Sequence, residues 1–244
     1  MSETVIITGG SRGIGRAAAL IFGANGYNVI VNYISSHGKA EEVCNEIISA
    51  GGMAVPFRAD VSDRRAVDEM TAFARKQFGG TDILVNNAGI AEQLMFCDIT
   101  EEKWDRMFDV DVKGVYNCTQ SVLPDMVHKK YGRIINVSSM WGITGASCEV
   151  HYSAAKAAVI GFTKALAKEL GPSGITVNAV APGVISTEMN GNLSPEAMDI
   201  LKEETPLCRI GTPEDAAEAI FFLASPKASF ITGETLSVNG GIVI

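Results

Sequence analysis

Apolar positions along the chain fall into two alternating patterns. Short, largely apolar runs recur at residues 5–7, 29–31, 83–85, 134–137, 175–181 and 235–238, with 53–57 a weaker member. Runs without polar alternation suit parallel strands covered on both faces. The segments between them carry helical spacing instead. Ala40, Val43, Cys44, Ile47 and Ile48 follow i, i+3, i+4, i+7, i+8, which predicts one buried stripe, and Val67, Met70, Ala74 and Phe78 form the next. Thr100 before Glu101-Glu102 predicts an N-cap with acids on the positive end of a helix. Thr212-Pro213-Glu214-Asp215 predicts a cap followed by proline at the first helical position.

This alternation implies right-handed crossovers and an α/β fold: a Rossmann-like, doubly wound parallel sheet of about seven strands with helices on both faces. No linker, repeat or low-complexity stretch divides the chain, so residues 1–244 read as a single domain. Ligands of such sheets lie at the carboxyl ends of the strands.

Charge and composition narrow the partners. The net charge is −8 and no cluster of lysines and arginines stands out, which argues against nucleic acid or an anionic membrane surface. The apolar run at 219–224 falls far short of the roughly 20 residues of a membrane span. The acidic N-terminus enters an apolar run too short for a signal peptide. The five cysteines are odd in number and lack C-x-x-C spacing, which reads as reduced thiols in the cytoplasm. The three histidines show no paired ligand spacing, so no metal site is expected.

The first strand runs into the glycine-studded turn Thr8-Gly9-x-x-x-Gly13-x-Gly15, where a helix begins. Unpaired N–H groups at a helix start favour a phosphate. An NAD site commonly places an acid at the end of the second strand for the ribose 2′-hydroxyl. That place reads Asn32-Tyr33-Ile34-Ser35-Ser36, and the next acid, Glu41, lies inside the following helix. Lacking an acid there, the chain cannot repel a 2′-phosphate, and Arg12 with Ser35 and Ser36 supplies donors for one.

Four separated motifs then combine: Thr8 to Gly15, Asn86-Asn87-Ala88-Gly89 after the fourth strand, Ser139 after the fifth, and Tyr152-Ser153-Ala154-Ala155-Lys156. Together they resemble the short-chain dehydrogenase/reductase family over nearly the whole chain, through Pro182-Gly183 to Asn239-Gly240-Gly241. The "VNY" and "RIINVSS" stretches resemble bacterial 3-oxoacyl-carrier-protein reductases. The residues support the roles this implies. Tyr152 and Lys156 are one turn apart, and a nearby ammonium favours phenolate, so Tyr152 can pass a proton to a carbonyl oxygen. The resemblance implies that Ser139 binds that oxygen and that Lys156 also holds the nicotinamide ribose. It further implies an NADP(H) site made by Gly9, Ser11, Arg12, Gly13, Ile14 and Gly15, by Asn32, Tyr33, Ser35 and Ser36, and by Asp60 and Val61 at the adenine. Asn87, Ala88 and Gly89, with Tyr152, Lys156, Pro182, Gly183 and Thr187, complete it. Asp60 has a second reading as the cap of the next helix, and Asn87 as a brace of the central strand.

Two positions depart from the family pattern. Asp111 stands where the family usually has asparagine, the fourth member of its catalytic tetrad, which supports a water in the proton relay. A carboxylate there holds Lys156 protonated while opposing phenolate formation. Ser173 stands where the carrier-protein reductases tend to have arginine, leaving Lys129, Lys130 and Arg133 as a basic patch for an acidic carrier.

The expected reaction is reduction of a keto group to a secondary alcohol, the keto substrate being carried on acyl-carrier protein or another protein. Residues about 185–211 are expected to form the substrate lid. The loop "MWGITGASCEVHY" admits two readings. Trp141 and Glu149, with Asp111, form an acidic, aromatic site for a cationic amino-ketone, as in reductases of the 5-aminopentanone on elongation factor P. Otherwise Trp141 packs against the lid and Glu149 caps the helix bearing Tyr152. A nucleotide-sensing regulator without turnover is the reading from another class, and the presence of Ser139, Tyr152 and Lys156 together speaks against it. The helices at about 112–130 and 151–170 are apolar on more than one face, which with the resemblance implies a homotetramer.

Overall fold

Side chains that alternate along each strand sort the core into two layers. The computed structural model describes residues 2–188 and 195–244. In β1 (Thr4–Ile7), Val5 and Ile7 point into one layer and Ile6 into the other. The first layer is closed by α1 (Gly13–Ala24), α2 (His37–Ser49) and α9 (Pro213–Ala224), through Phe22, Val43, Ile47 and Ile220. The second is closed by α3 (Arg64–Phe78), α5 (Gly114–Lys129) and α7 (Val150–Leu170), through Val67, Met70, Val122 and Leu170. Fully burying one such side chain is worth about 1.5–3 kcal/mol, and a slip of one residue would turn every strand's apolar set around. The two layers thereby fix the register.

The remaining strands are β2 (Asn28–Tyr33), β3 (Met53–Arg58), β4 (Ile83–Asn86), β5 (Gly132–Val137), β6 (Ile175–Pro182) and β7 (Thr235–Val238). All pairs are parallel and the order is β3-β2-β1-β4-β5-β6-β7. The winding direction reverses between β1 and β4, which opens a crevice beyond their carboxyl ends. Helix α4 (Glu101–Phe108) continues into a π-helical stretch, Asp109–Lys113, before α5. The short α6 (Trp141–Thr144) follows β5, and α8 (Pro195–Glu204) follows β6.

The expected caps at Thr100 and Thr212 are present, the second as a full capping box with Asp215. Asp63, not Asp60, caps α3 by accepting from Arg65 and Ala66 N–H. Ile48 is exposed, since i+8 has rotated off the stripe that Ala40, Val43, Cys44 and Ile47 bury. The basic patch does not form. Arg133 is buried at the start of β5 and donates to the carbonyl oxygens of Gly132 and Gly174, and Lys129 pairs with Asp82 at 2.6 Å. These groups also lie at the amino ends of the strands, away from the crevice. Among the described residues no helix is long and apolar enough to cross a membrane. Of the expected lid, residues 189–194 lie outside the described residues.

Candidate active site

The crevice is built from short polar bonds between segments far apart in sequence. Thr8 follows β1 and its hydroxyl donates to the Val85 carbonyl at 3.2 Å. The same oxygen accepts the N–H groups of Asn87 and Ala88 at 2.9 and 3.0 Å. The Asn87 amide returns the tie, donating to the carbonyls of Thr8 and Gly9 at 2.9 and 3.1 Å. Asn87 therefore steadies the glycine turn at the end of β1. Asn32 braces it from the other side: its Oδ1 accepts from Gly9 N–H at 3.2 Å, and its Nδ2 donates to Ala59 O at 3.0 Å. Its side chain is thus committed to holding the turn. Tyr33 is buried and its hydroxyl meets His37 Nδ1 at 2.7 Å.

A phosphate-bearing group fits this turn. A Cβ on Gly15 would come within 2.4 Å of the Gly9 carbonyl oxygen and 2.5 Å of the Asn87 amide, so only glycine permits so close a crossing. The first turn of α1 holds no acid, and Arg12 makes no side-chain cap, so its N–H groups and positive dipole end have no anionic partner of their own. Thr187, just beyond Pro182 and Gly183, lies against Gly13 and brings the start of the lid over the turn. The next residue, Glu188, meets two cations: Arg12 Nη1 at 3.2 Å and Lys39 Nζ at 2.5 Å. Lys39 first, then Arg12, hold the Glu188 carboxyl below its ordinary range. Two cations that converge on one carboxylate can equally converge on a phosphate. The sequence carries no signal for this contact, since Lys39 stands three residues into α2, beyond the strand end. Ser35 is exposed, and Ser36 sits at the N-cap of α2 without a side-chain capping bond.

Asp60 is half-buried and accepts from the N–H and hydroxyl of Ser62 at 2.9 and 2.6 Å, with Arg106 at 3.5 Å. Burial works to raise its pKa, but the Ser62 bonds and Arg106 outweigh it and keep the carboxyl below its ordinary range. Val61 is buried beside Gly114, where a Cβ would approach within 2.7 Å. Ser11 is buried and Ile14 packs against the first core layer.

The structure brings Ser139, Tyr152, Lys156 and Asp111 together beyond β5. Helix α7 carries Tyr152 and Lys156 on one face, with Lys156 Nζ 5.5 Å from the Tyr152 ring centroid. Ser138 clamps this helix to the strand end by donating to the Lys156 carbonyl at 2.9 Å. The sequence signal for it was only its place beside Ser139. A Cβ on Gly142 would meet the Lys156 backbone at 2.7 Å, so α6 seats directly on α7. Ser139 faces the Tyr152 hydroxyl and accepts from Trp141 N–H at 3.2 Å.

Asp111 is fully buried and pairs with Lys156 Nζ at 2.9 Å. The contact is held by charge more than by a well-aligned hydrogen bond. Burial disfavours the Lys156 ammonium, but Asp111 and Tyr152 outweigh that and hold its pKa above the ordinary lysine value. Burial raises the Tyr152 pKa, Lys156 opposes it, and Asp111 adds to it, so the phenol stands above its ordinary value. Gly89 makes room for the pair, since a Cβ there would lie 2.8 Å from Asp111 Oδ2 and 3.2 Å from Lys156 Nζ.

Each residue read as part of a cationic-substrate site has a partner within the fold, Asp111 with Lys156 and the others as follows. Glu149 accepts from Gln93 Nε2 at 3.0 Å, and Trp141 packs with Met107, Tyr152 and Ala155. Glu149 does stand at the N-cap position of α7, yet its side chain makes no capping bond. Cys148, the residue before it, has φ +61°, a left-handed conformation uncommon outside glycine.

The chain is similar to known proteins over nearly its whole length. A family model described as enoyl-(acyl carrier protein) reductase matches residues 9–243. The 3-oxoacyl-(acyl-carrier-protein) reductase FabG of Staphylococcus epidermidis is 46% identical over 242 residues, covering 99% of both chains. FabG of Staphylococcus aureus is 45% identical, covering 99% of this chain and 98% of the relative. The 3-oxoacyl-(acyl-carrier-protein) reductase of Synechocystis sp. is 44% identical over 244 residues, covering 100% of this chain and 98% of the relative.

Proposed function

The chain belongs to the short-chain dehydrogenase/reductase family, and we propose that it reduces a 3-oxoacyl group on acyl-carrier protein with NADPH, in fatty acid synthesis. The observation that carries this is the meeting of Ser139, Tyr152 and Lys156 beside a glycine turn fitted to phosphates. A bound nicotinamide supplies the hydride for this chemistry. Ser139 Oγ holds the carbonyl oxygen, and Tyr152 gives that oxygen its phenolic proton as the C=O bond becomes C–OH. Lys156 steadies the phenolate left behind. Two donors aimed at one oxygen suit a carbonyl better than a carbon–carbon double bond.

The glycine turn and the α1 N-terminus hold the diphosphate. Arg12, Lys39, Ser35 and Ser36 hold the 2′-phosphate that distinguishes NADPH. Residues 1–244 act as one catalytic domain and about 185–211 as the substrate lid. The enzyme works in the cytoplasm as a homotetramer, readings supported by five free cysteines and by exposed apolar residues on α5 such as Tyr116 and Val127. The test is turnover of a 3-oxoacyl thioester and of a trans-2-enoyl thioester, each with NADPH and with NADH. NADPH-dependent consumption of the 3-oxoacyl thioester alone is expected. Consumption of only the enoyl thioester, or a preference for NADH, would overturn the reading.

A further inference from the structure

Asp111 sits in the middle of the π-helical stretch, and both of its oxygens face donors. Oδ1 accepts Ile90 N–H at 2.9 Å, and Oδ2 faces Lys156 Nζ at 2.9 Å. Both contacts are donors, and neither offers an acceptor for a carboxyl hydrogen. Asp111 is fully buried, where a charge acts with little screening. Lys156 would by itself draw the neighbouring phenol toward phenolate. Asp111 neutralises that pull at the ammonium itself.

Of the groups facing Tyr152, the Glu149 carboxylate acts with Asp111, while Lys156 and the Ser139 hydroxyl oppose them. Lys156 lies on its own helix, Asp111 comes from the π-helical stretch, Glu149 from the start of α7, and the Ser139 hydroxyl from the end of β5. Two carboxylates and one ammonium leave a negative balance around the phenol.

We infer that Asp111 is a positioning residue that acts through Lys156 to keep Tyr152 in its phenol form well above neutral pH, so that reduction holds its rate into the alkaline range. This rests on the reading of Tyr152 as the proton donor. In that step the phenolic O–H bond breaks and an O–H bond forms on the former carbonyl oxygen. The hydride and its electron pair come from the nicotinamide, and solvent returns the proton to the phenolate. The ratio of forward to reverse rates stays set by the overall equilibrium. Asp111 therefore moves the pH at which both directions change, not the balance between them.

The test has two readouts. One is the pH profile of kcat/KM for the wild type and Asp111→Asn. The other is phenolate absorbance in the ligand-free protein, with Tyr152→Phe subtracted to isolate Tyr152. In the wild type both should place Tyr152 above the ordinary tyrosine value of about 10. Asp111→Asn should lower the alkaline limb and the phenolate transition together by about one pH unit or more. A limb that stays put or rises in Asp111→Asn would overturn the inference. If that variant does not fold, the wild-type titration alone decides, and a Tyr152 transition below about 10 overturns it. Should Tyr152→Phe keep near-normal turnover, the donor reading itself falls. Loss of turnover in Tyr152→Phe with an unmoved profile in Asp111→Asn sinks only the role of Asp111.

Discussion

Two carboxylates in this molecule each pair with basic side chains and differ above all in their access to water. Glu188 lies on the surface with Arg12 and Lys39, and their side chains are about half exposed. Asp111 lies in the interior with Lys156, and neither is more than 6% exposed. The first pair is screened and exchangeable, so a phosphate can take the carboxylate's place at little cost. The second is fixed, because separating it would strand a charge away from solvent. The surface pair suits recognition. The buried pair suits the setting of a proton's energy.

Removing one partner from the buried pair should have the largest effect. Lys156→Met leaves Asp111 uncompensated and should cost about 3–5 kcal/mol of unfolding free energy by urea titration. Adding Asp111→Asn should restore most of it, and a double mutant no more stable than the single would show that the pair is not coupled.

Tyr152→Phe keeps the packing and removes only the proton, so turnover should fall by about 10²-fold or more while NADPH still binds. Near-normal turnover would break the comparison at its catalytic end. At the surface cluster, Arg12→Ala or Lys39→Ala should weaken NADPH by about tenfold and NADH much less, read by fluorescence titration. Equal weakening of both cofactors would show that the cations do not meet the 2′-phosphate.

The smallest effect is expected at Glu188. Glu188→Gln removes the anion that competes for Arg12 and Lys39, so NADPH should bind about threefold tighter at low salt. Raised salt should erase the gain, and the urea midpoint should not move. Weaker NADPH binding in this variant would mean that Glu188 orients the cations instead of occupying them.

The raised values of Lys156 and Tyr152 also fix a sign for stability against pH. Both groups bind their protons more tightly in the folded state. Their contribution is therefore complete below the unfolded values of about 10 and is lost as pH rises through the folded ones. The urea midpoint should fall at strongly alkaline pH, and less so in Tyr152→Phe. A midpoint that rises there would contradict the shifts.

The strands, the glycine turn and the spacing of Tyr152 from Lys156 were determined by the sequence alone. Each is local: apolar period marks a strand or a helix face, glycine marks a backbone crossing, and four residues make one helical turn. Tertiary structure decided what depends on segments meeting across the fold. Lys39 joins Arg12 only because α2 starts beside the turn that opens α1. Arg133 is charged yet buried, since two backbone carbonyls at the strand starts receive it. Glu149 has the position of a cap but turns to Gln93. Asp111 meets Lys156 from a π-helical stretch, which no periodicity of apolar positions reports. Whether that carboxylate meets water or an ammonium is a fact of packing. From it follows the chemistry of a tyrosine forty-one positions away along the chain.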